Sequence, residues 1–170
     1  MNKITNAFEK LFEFNKITLS LHKVIERNSW DQEAIMPVGA LADRAEEQAS
    51  LMIIAHKRQT SNEFSDLLNS VKIESLSKTQ LRQVYLMRKE LIRALKVPHE
   101  LIGALAKETT LAHSVWIAAR KDNDFEQFLP QFTKVLKLRR EEADAIRQDT
   151  DLSRYDALLQ DYEPDLKSDY

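Results

Sequence analysis

Ser29-Trp30-Asp31-Gln32-Glu33-Ala34-Ile35-Met36-Pro37-Val38-Gly39 lies between two long amphipathic patterns and decides how the chain is divided into helices. A proline disfavours the α conformation in the residue before it, so Met36 is predicted to be extended. Pro37 suits the first turn of a helix, where its missing N–H group is not needed. The stretch is therefore predicted to form a corner between two helices.

The side chains of this corner allow two interpretations. Asp31 and Glu33 are the only close carboxylate pair in the chain that stands beside a tryptophan and a helix start. In the structural interpretation, Trp30 fills the corner between the two helices. In the functional interpretation, the corner lines a substrate cleft through Trp30, Asp31, Gln32 and Glu33. The sequence leaves both open.

The composition excludes several classes of protein. A net charge of −2 and a pI of about 6.1 argue against nucleic acid as the main partner. No apolar run approaches the roughly 18 residues of a membrane span, and the N-terminus lacks the features of a signal peptide. The chain has no cysteine, which excludes disulfides, thiolate zinc sites and a cysteine nucleophile. We expect a cytoplasmic protein with no nucleic-acid or membrane partner.

The fold class follows from apolar spacing and from the scarcity of glycine. Gly39 and Gly103 are too far apart to form a phosphate loop or a dinucleotide-binding turn. Apolar residues recur at spacings of three and four, which is typical of helices. The sequence predicts an all-α antiparallel array of about six helices, at least two of them longer than 20 residues. Predicted boundaries are a first helix over 3–28, a second over 37–58, and breaks at 60–63, Ser77, Val97-Pro98 and Asn123-Asp124.

The fourth helix has a wide apolar pattern. Ser77 is followed three residues later by Gln80, the spacing of a capping box. The residues predicted to face inward in this helix are Leu81, Val84, Tyr85, Arg88, Leu91, Ile92 and Leu95.

Charge divides the chain into a helical domain over 1–148 and an acidic segment over 149–170. The acidic segment has seven acids and two bases, a charge of −5, which leaves +3 for 1–148. It keeps apolar residues as well, so it is expected to pack on something rather than to be disordered. Basic residues of the fourth and last helices are interpreted as ordinary solvated surface or as its docking face.

Histidine spacing gives no metal site. The nearest match to the zinc motif His-Glu-x-x-His is His99-Glu100-Leu101-Ile102-Gly103, and it fails at glycine. His99 and Glu100 are interpreted as surface residues of a helix N-terminus, and His22 as a surface partner of Glu26. His56 and His113 are predicted to be partly buried and hydrogen-bonded. No self-contained catalytic or metal-binding group is predicted.

Five stretches in register resemble the thermostable carboxypeptidase (carboxypeptidase Taq) family of zinc metallocarboxypeptidases. Trp30-Asp31-Gln32-Glu33 with Met36-Pro37-Val38-Gly39 is similar to the N-terminal signature of that family. The other four stretches are 44–48, which has one extra glutamate, 97–101, in which His99 intervenes, 123–130, and 155–164 with its Tyr-Glu-Pro ending. Together they span most of the chain in the order of the family.

The resemblance implies a largely helical fold split by a deep cleft, commonly a homodimer, that removes C-terminal residues from peptides. In that family a zinc-bound water is activated by a glutamate, and the zinc ligands follow the Tyr-Glu-Pro region, so none can be assigned to a residue here. We therefore expect the N-terminal cleft-wall part of such an enzyme, inactive alone, which meets a peptide substrate only with a catalytic half. The alternative is a stand-alone helical interaction or oligomerisation protein derived from the family.

Overall fold

The computed structural model describes residues 6–168, and 81% of them are helical with no strand among them. Seven α-helices are present in this range: α1 (Ala7–Ala34), α2 (Leu41–Gln59), α3 (Asn62–Ser70), α4 (Lys78–Ala94), α5 (His99–Asp122), α6 (Phe125–Arg147) and α7 (Arg154–Leu159). The helices α1, α5 and α6 have 28, 24 and 23 residues. The predicted all-α class is confirmed, with a six-residue α7 added to the six longer helices.

The helices α1 and α2 pack antiparallel. Near one end of the pair, Arg58 of α2 donates to the carbonyl oxygen of Phe14 at 3.1 Å. Near the other end, Arg44 of α2 reaches the Asp31 carboxylate at 2.6 Å. Residue numbers thus rise along one helix as they fall along its neighbour.

The same arrangement continues across the rest of the bundle. Lys107 of α5 pairs with Glu46 at one end of α2, and His99 of α5 meets His56 at the other end. Between α5 and α6, Gln131 Nε2 donates to the Glu108 carboxylate at 2.5 Å. The lateral order is therefore α1, α2, α5, α6, with α2 and α5 in the middle.

Small side chains let α2 and α5 lie close together. Gly103 of α5 is buried, and a Cβ atom at this position would lie 2.5 Å from Ile53 Cδ1 and 2.9 Å from Ile53 Cγ1 of α2. The buried alanines of the two helices are Ala45, Ala49, Ala55, Ala112 and Ala119. The second glycine of the sequence is thus a packing residue.

A separate apolar cluster joins α3 and α4 to the first half of α1. The Phe14 and Phe64 rings stack with centroids 5.5 Å apart, and the Arg58 guanidinium lies 3.8 Å from the Phe14 centroid. The cluster is built from Leu11, Phe14, Phe64, Leu68, Val71, Val84, Met87 and Leu91. The α3–α4 pair, which lies between α2 and α5 in the sequence and packs back onto α1, is called the α3–α4 excursion below.

Predicted helix starts are confirmed where a side chain caps the helix. Ser61 caps α3, and Asp124 caps α6 through the Gln127 N–H. Ser77 and Gln80 form the predicted capping box at α4. In each case a side-chain oxygen satisfies an N–H group that the first turn leaves without an intrahelical acceptor.

The boundary between α1 and α2 differs from the prediction. Helix α1 continues through the quoted stretch to Ala34, because nothing before Pro37 prevents helical hydrogen bonding. Pro37 has φ −62° and ψ 142° and precedes a 3-10 turn at Val38–Ala40, so α2 begins four residues later than predicted. The corner is confined to residues 35–40. The predicted start of the first helix at residue 3 lies outside the described residues.

The predicted inward face of α4 is mostly wrong, because only two of its seven residues are buried and Arg88 is among the five exposed ones. Val84 and Leu91 are buried as predicted, and Met87 joins them. In contrast, Leu81, Tyr85, Ile92 and Leu95 are 45%, 54%, 63% and 59% exposed. The excursion packs one side of α4 on α1 and leaves a second apolar row uncovered.

The described part of the acidic segment, to residue 168, packs on α4 and α6. Ala157 is completely buried against Val97 and Ile146. Arg154 donates to the Asp144 carboxylate at 2.7 Å, and this contact holds the pKa of Asp144 at about 2. The expectation that the segment packs is confirmed, whereas the division at residue 148 stays a prediction.

Candidate functional site

Asp31 ties the last turns of α1 to α2. Its Oδ2 accepts from Arg44 Nη2 at 2.6 Å, and the guanidinium also donates to the Asn28 carbonyl oxygen and to Glu47 Oε2 at 3.1 Å. The hydrogen bond with Asp31, more than that with Glu47, raises the pKa of Arg44 above its ordinary value. Arg44 is thus a three-acceptor clamp with only 13% of its side chain exposed.

Gln32 and Glu33 tie the same turns to α5. Gln32 Nε2 lies 3.5 Å from the Thr110 carbonyl oxygen, at the limit of a hydrogen bond. Glu33 Oε1 lies 3.1 Å from His113 Nδ1. Asp31 and Glu33 therefore serve different neighbouring helices and do not converge as an acid–base pair.

Trp30 does not fill the corner, and the structural interpretation of this residue is wrong. Its side chain is 62% exposed, because it lies on the side of α1 that neither α2 nor α5 covers. At the same end of the bundle, the His113 and Trp116 rings lie 5.7 Å apart, and Phe125 and Phe132 are 57% and 40% exposed. An exposed aromatic surface thus surrounds the end where α1 and α5 finish and α2 and α6 begin.

A groove runs over α2 and α5 between α1 and α6. It consists of two adjoining cavities of about 200 and 270 Å³ that share Met52, Ile102 and Glu142. Ile25 of α1 and Leu105 of α5 add apolar surface. The groove is concave and mostly apolar, as small-molecule and peptide sites commonly are.

Polar side chains on the walls of the groove are largely engaged with each other. Gln48 is 5% exposed and donates from Nε2 to Ser29 Oγ at 3.0 Å, while its Oε1 has no hydrogen-bond partner among the described residues. Glu142 is also buried and accepts from Arg139 Nη1 at 2.8 Å. The first contact joins α2 to α1, and the second orients the Glu142 side chain on the α6 wall of the groove.

His56 and His99 meet, a contact that was not predicted from the sequence. Their Nδ1 atoms lie 2.6 Å apart, and His56 Nε2 lies 3.0 Å from the Ala94 carbonyl oxygen. Since a carbonyl oxygen only accepts, His56 donates from Nε2, and in the neutral form of His56 its Nδ1 accepts from His99. Burial, and secondarily the neighbouring His99, lowers the pKa of His56. The predicted buried, hydrogen-bonded character of His56 is confirmed. His113 is partly buried, as predicted, and its polar partner is Glu33.

His22 lies at the groove with His56 and Glu90, and its predicted contact with Glu26 is not among the hydrogen bonds of residues 6–168. Desolvation raises the pKa of Glu90, and the charge of His22 opposes that shift. In residues 6–168, no three histidine, aspartate or glutamate side chains converge so as to hold a metal ion. The residues of this chain that the structure describes therefore do not fit a zinc centre.

The sequence pattern placed Gln48 on the inner stripe of α2 but Arg44 on its solvated face, and the Arg44 assignment is wrong, because only 13% of this side chain is exposed. Arg44 contacts Asn28 and Asp31, and Gln48 contacts Ser29, so both hold α2 against the end of α1. A signal for both exists in their spacing of four. Residues four apart lie on one face of a helix, and the low exposure of both side chains shows that this face of α2 is turned inward.

None of the helices described over residues 6–168 is both long enough and apolar enough to cross a membrane.

Comparison with known sequences identifies similar proteins. The sequence profile of the carboxypeptidase Taq (M32) metallopeptidases matches residues 10–170. Thermostable carboxypeptidase 1 of Thermus thermophilus is 29% identical over 173 residues, which cover 95% of this chain and 34% of that protein. Thermostable carboxypeptidase 1 of Pyrococcus furiosus is 29% identical over 82% of this chain and 28% of that protein. The chain spans about a third of the length of these curated relatives.

Solved structures share the fold over nearly the whole chain. The crystal structure of BsuCP has a TM-score of 0.89 at 22% identity and covers 95% of this chain and 33% of that chain. Metallocarboxypeptidase 1 of Trypanosoma cruzi has a TM-score of 0.73 at 25% identity, with the same coverage.

Proposed function

The chain belongs to the carboxypeptidase Taq (M32) metallopeptidase family, and from that membership we propose that it is the N-terminal helical part of a zinc metallocarboxypeptidase, forming one wall of a peptide-binding cleft. The resemblance predicted from the five sequence stretches is confirmed. The observation that carries the proposal is the match of the family profile to residues 10–170, nearly the whole chain, although the relatives are about three times longer.

The proposed wall includes the last turns of α1. Trp30 offers an exposed indole that can contact an apolar part of a peptide. Asp31, Gln32 and Glu33 contribute by holding that turn against α2 and α5. The Asp31 and Glu33 carboxylates are already paired with Arg44 and His113. We therefore assign Asp31, Gln32 and Glu33 a positioning role in the cleft.

Zinc chemistry belongs, in this proposal, to the part of the family fold that the chain does not match. When bound in the family, zinc supplies an activated water for attack on a peptide bond. The four histidines of this chain are placed apart or paired with protein groups, as described above. The chain alone is therefore proposed to be inactive. Its cytoplasmic location and a homodimeric state are further parts of the proposal, supported by the lack of cysteine and by the family resemblance.

The first test is zinc content by elemental analysis together with a carboxypeptidase assay on a blocked dipeptide, using the purified 170-residue chain. We expect neither stoichiometric zinc nor turnover. One zinc per chain with turnover would overturn the proposal, and His22, His56, His99 and His113 would then be the ligands to substitute.

A second test asks for a positive result. A chimera replaces the matched third of the Thermus thermophilus relative with this chain and is assayed for peptide hydrolysis and zinc content. We expect hydrolysis in the chimera, and a lower kcat/KM when Trp30 is replaced by alanine. A folded chimera that binds zinc and does not hydrolyse peptides would contradict the role as a cleft wall.

The alternative function, a stand-alone helical interaction protein, is favoured by one observation. Large apolar side chains of α4 are uncovered, as expected for a surface that contacts another polypeptide. The chimera separates the two functions, because an interaction protein that has lost the cleft geometry would not support hydrolysis.

A further inference from the structure

The outer side of α4 carries an apolar row that nothing in residues 6–168 covers. Leu81, Tyr85, Ile92 and the C-cap residue Leu95, whose backbone is still helical, follow one another at spacings of four, seven and three, which places them along one side of the helix. All four side chains are between 45% and 63% exposed. The buried row of Val84, Met87 and Leu91 lies beside it on the side facing α1. Helix α4 is thus apolar over about twice the width that the fold buries.

A basic row borders the apolar row on its other side. It consists of Lys78, Arg82, Lys89 and Arg93, at spacings of four, seven and four. Helix α4 as a whole has five basic residues and one acid. The guanidinium of Arg82 lies 5.0 Å from the Tyr85 ring centroid, so the two rows are in contact.

The chain itself shows what the basic row binds. Asp161 pairs with Arg93, and Asp165 lies 4.0 Å from Lys89; both aspartates belong to the part of the acidic segment that follows α7. Arg93 also donates to the Ala157 backbone carbonyl at 3.1 Å, so the contact is with a polypeptide and not with isolated carboxylates alone. Lys78 and Arg82, at the other end of the row, form no ion pair with a described residue.

We propose that the α4 outer face, defined as the apolar row Leu81, Tyr85, Ile92, Leu95 with Lys78 and Arg82, is a docking surface for an acidic amphipathic polypeptide segment. An apolar row on the partner would remove the four exposed side chains from water. An adjoining acidic row would pair with Lys78 and Arg82 as Asp161 pairs with Arg93. The proposal goes beyond the proposed carboxypeptidase role and does not depend on it, because it rests on exposed side chains of the α4 face and on their contacts with the acidic segment.

The test uses a fluorescent synthetic helical peptide that has a leucine row beside a glutamate row. Binding to the full chain is followed by fluorescence anisotropy. We expect saturable binding that weakens as salt is raised. The double variant Leu81→Ser/Ile92→Ser removes two apolar anchors and should weaken binding at least about tenfold. Arg82→Glu should also weaken it, since it places a like charge against the glutamate row.

Controls distinguish binding at the α4 outer face from non-specific binding of the peptide to exposed apolar side chains. Ile17→Ser removes an equally exposed apolar side chain from α1 (55% exposed) and should leave peptide binding unchanged. A peptide with lysines in place of the glutamates should bind poorly. All the substituted residues are exposed, so the variants are expected to keep the far-ultraviolet circular dichroism and the unfolding midpoint of the parent chain.

Four outcomes would overturn the proposal. The first is that the parent chain does not bind the peptide, and the second is that the double variant binds it as tightly as the parent chain. In the other two, the surface is covered by a membrane or by a second copy of the chain. If vesicles containing phosphatidylserine bind the parent chain but not the double variant, while the peptide does not bind, the surface is a membrane contact. If sedimentation velocity shows a dimer that the double variant loses, again without peptide binding, the occupant is a second copy.

Discussion

Replacing Gly103 with alanine tests whether the close approach of α2 and α5 limits the size of side chains between them. The added Cβ would lie 2.5 Å from Ile53 Cδ1 and 2.9 Å from Ile53 Cγ1. Comfortable carbon contacts are about 3.5–4.0 Å. Ile53 cannot easily withdraw, because a β-branched side chain in a helix has one strongly preferred χ1 rotamer. The two helices must therefore move apart or Ile53 must adopt a strained rotamer.

Two opposing effects set the magnitude. Alanine in place of glycine within a helix gains about 1 kcal/mol from backbone propensity. Overpacking of a tight interface costs roughly 1–3 kcal/mol. The overpacking is larger, so we expect Gly103→Ala to lower the free energy of unfolding by about 1 kcal/mol. In an Ile53→Ala background the obstacle is gone, and the same substitution should then stabilise the protein by up to about 1 kcal/mol.

The assay is urea unfolding of the four proteins of this double-mutant cycle, followed by circular dichroism. The expected coupling free energy between the two positions is about 1–3 kcal/mol. Gly39→Ala is the matched control, because a Cβ there has nothing within 4 Å, and it should be neutral or slightly stabilising. If Gly103→Ala stabilised the parent chain as much as the Ile53→Ala variant, the inferred close contact would be refuted.

Two further predictions concern charged and titrating groups of the site. Burial lowers the pKa of His56 in the folded state, so its contribution to stability is complete above its ordinary value of about 6.5 and is lost as the pH falls below that value. His56→Gln should therefore flatten the pH dependence of the free energy of unfolding between about pH 7 and 5. The raised pKa of Glu90 has the opposite effect on stability, but it does so equally in the parent chain and in the His56→Gln variant, so the difference in slope between the two proteins reports His56 alone. Equal slopes would show that His56 does not titrate with a lowered pKa in the folded state. Separately, Arg44→Lys should lower the free energy of unfolding by roughly 1–3 kcal/mol, because an ammonium cannot reach all three acceptors. Arg140→Lys on the exposed side of α6 serves as its control, and equal effects of the two substitutions would show that the clamp is not needed.

Local chemistry made the fold class and the helix starts predictable. Ser61, Ser77 and Asp124 cap helices through contacts within four residues, which need no knowledge of the tertiary structure. The end of α1 was predicted too early because the Trp30–Glu33 turn has strong interactions elsewhere. Asp31 and Glu33 bond to α2 and α5, and those contacts favour continuing the helix to the residues before Pro37.

The candidate site was less predictable, because it depends on which helices become neighbours. The apolar rows of α4 can be recognised from spacing, but spacing does not say that the α3–α4 excursion turns only one row toward α1. Nor does it bring His56 to His99, since their contact requires α2 and α5 to pack antiparallel across that excursion. The groove between α1 and α6 arises from the same lateral order.

The excursion of α3 and α4 also affects the order in which the chain can fold. The α1–α2 and α5–α6 hairpins are joined by short connections, whereas the contact between His56 and His99 closes a segment of 43 residues. Closing a flexible loop of that length has an entropic cost of about 3 kcal/mol beyond a constant. The hairpins can therefore form early as local units, and the central interface between them is completed late. Interactions that form after the transition state mainly determine the unfolding rate, so the packing of Gly103 against Ile53 governs how long the groove persists once it has formed.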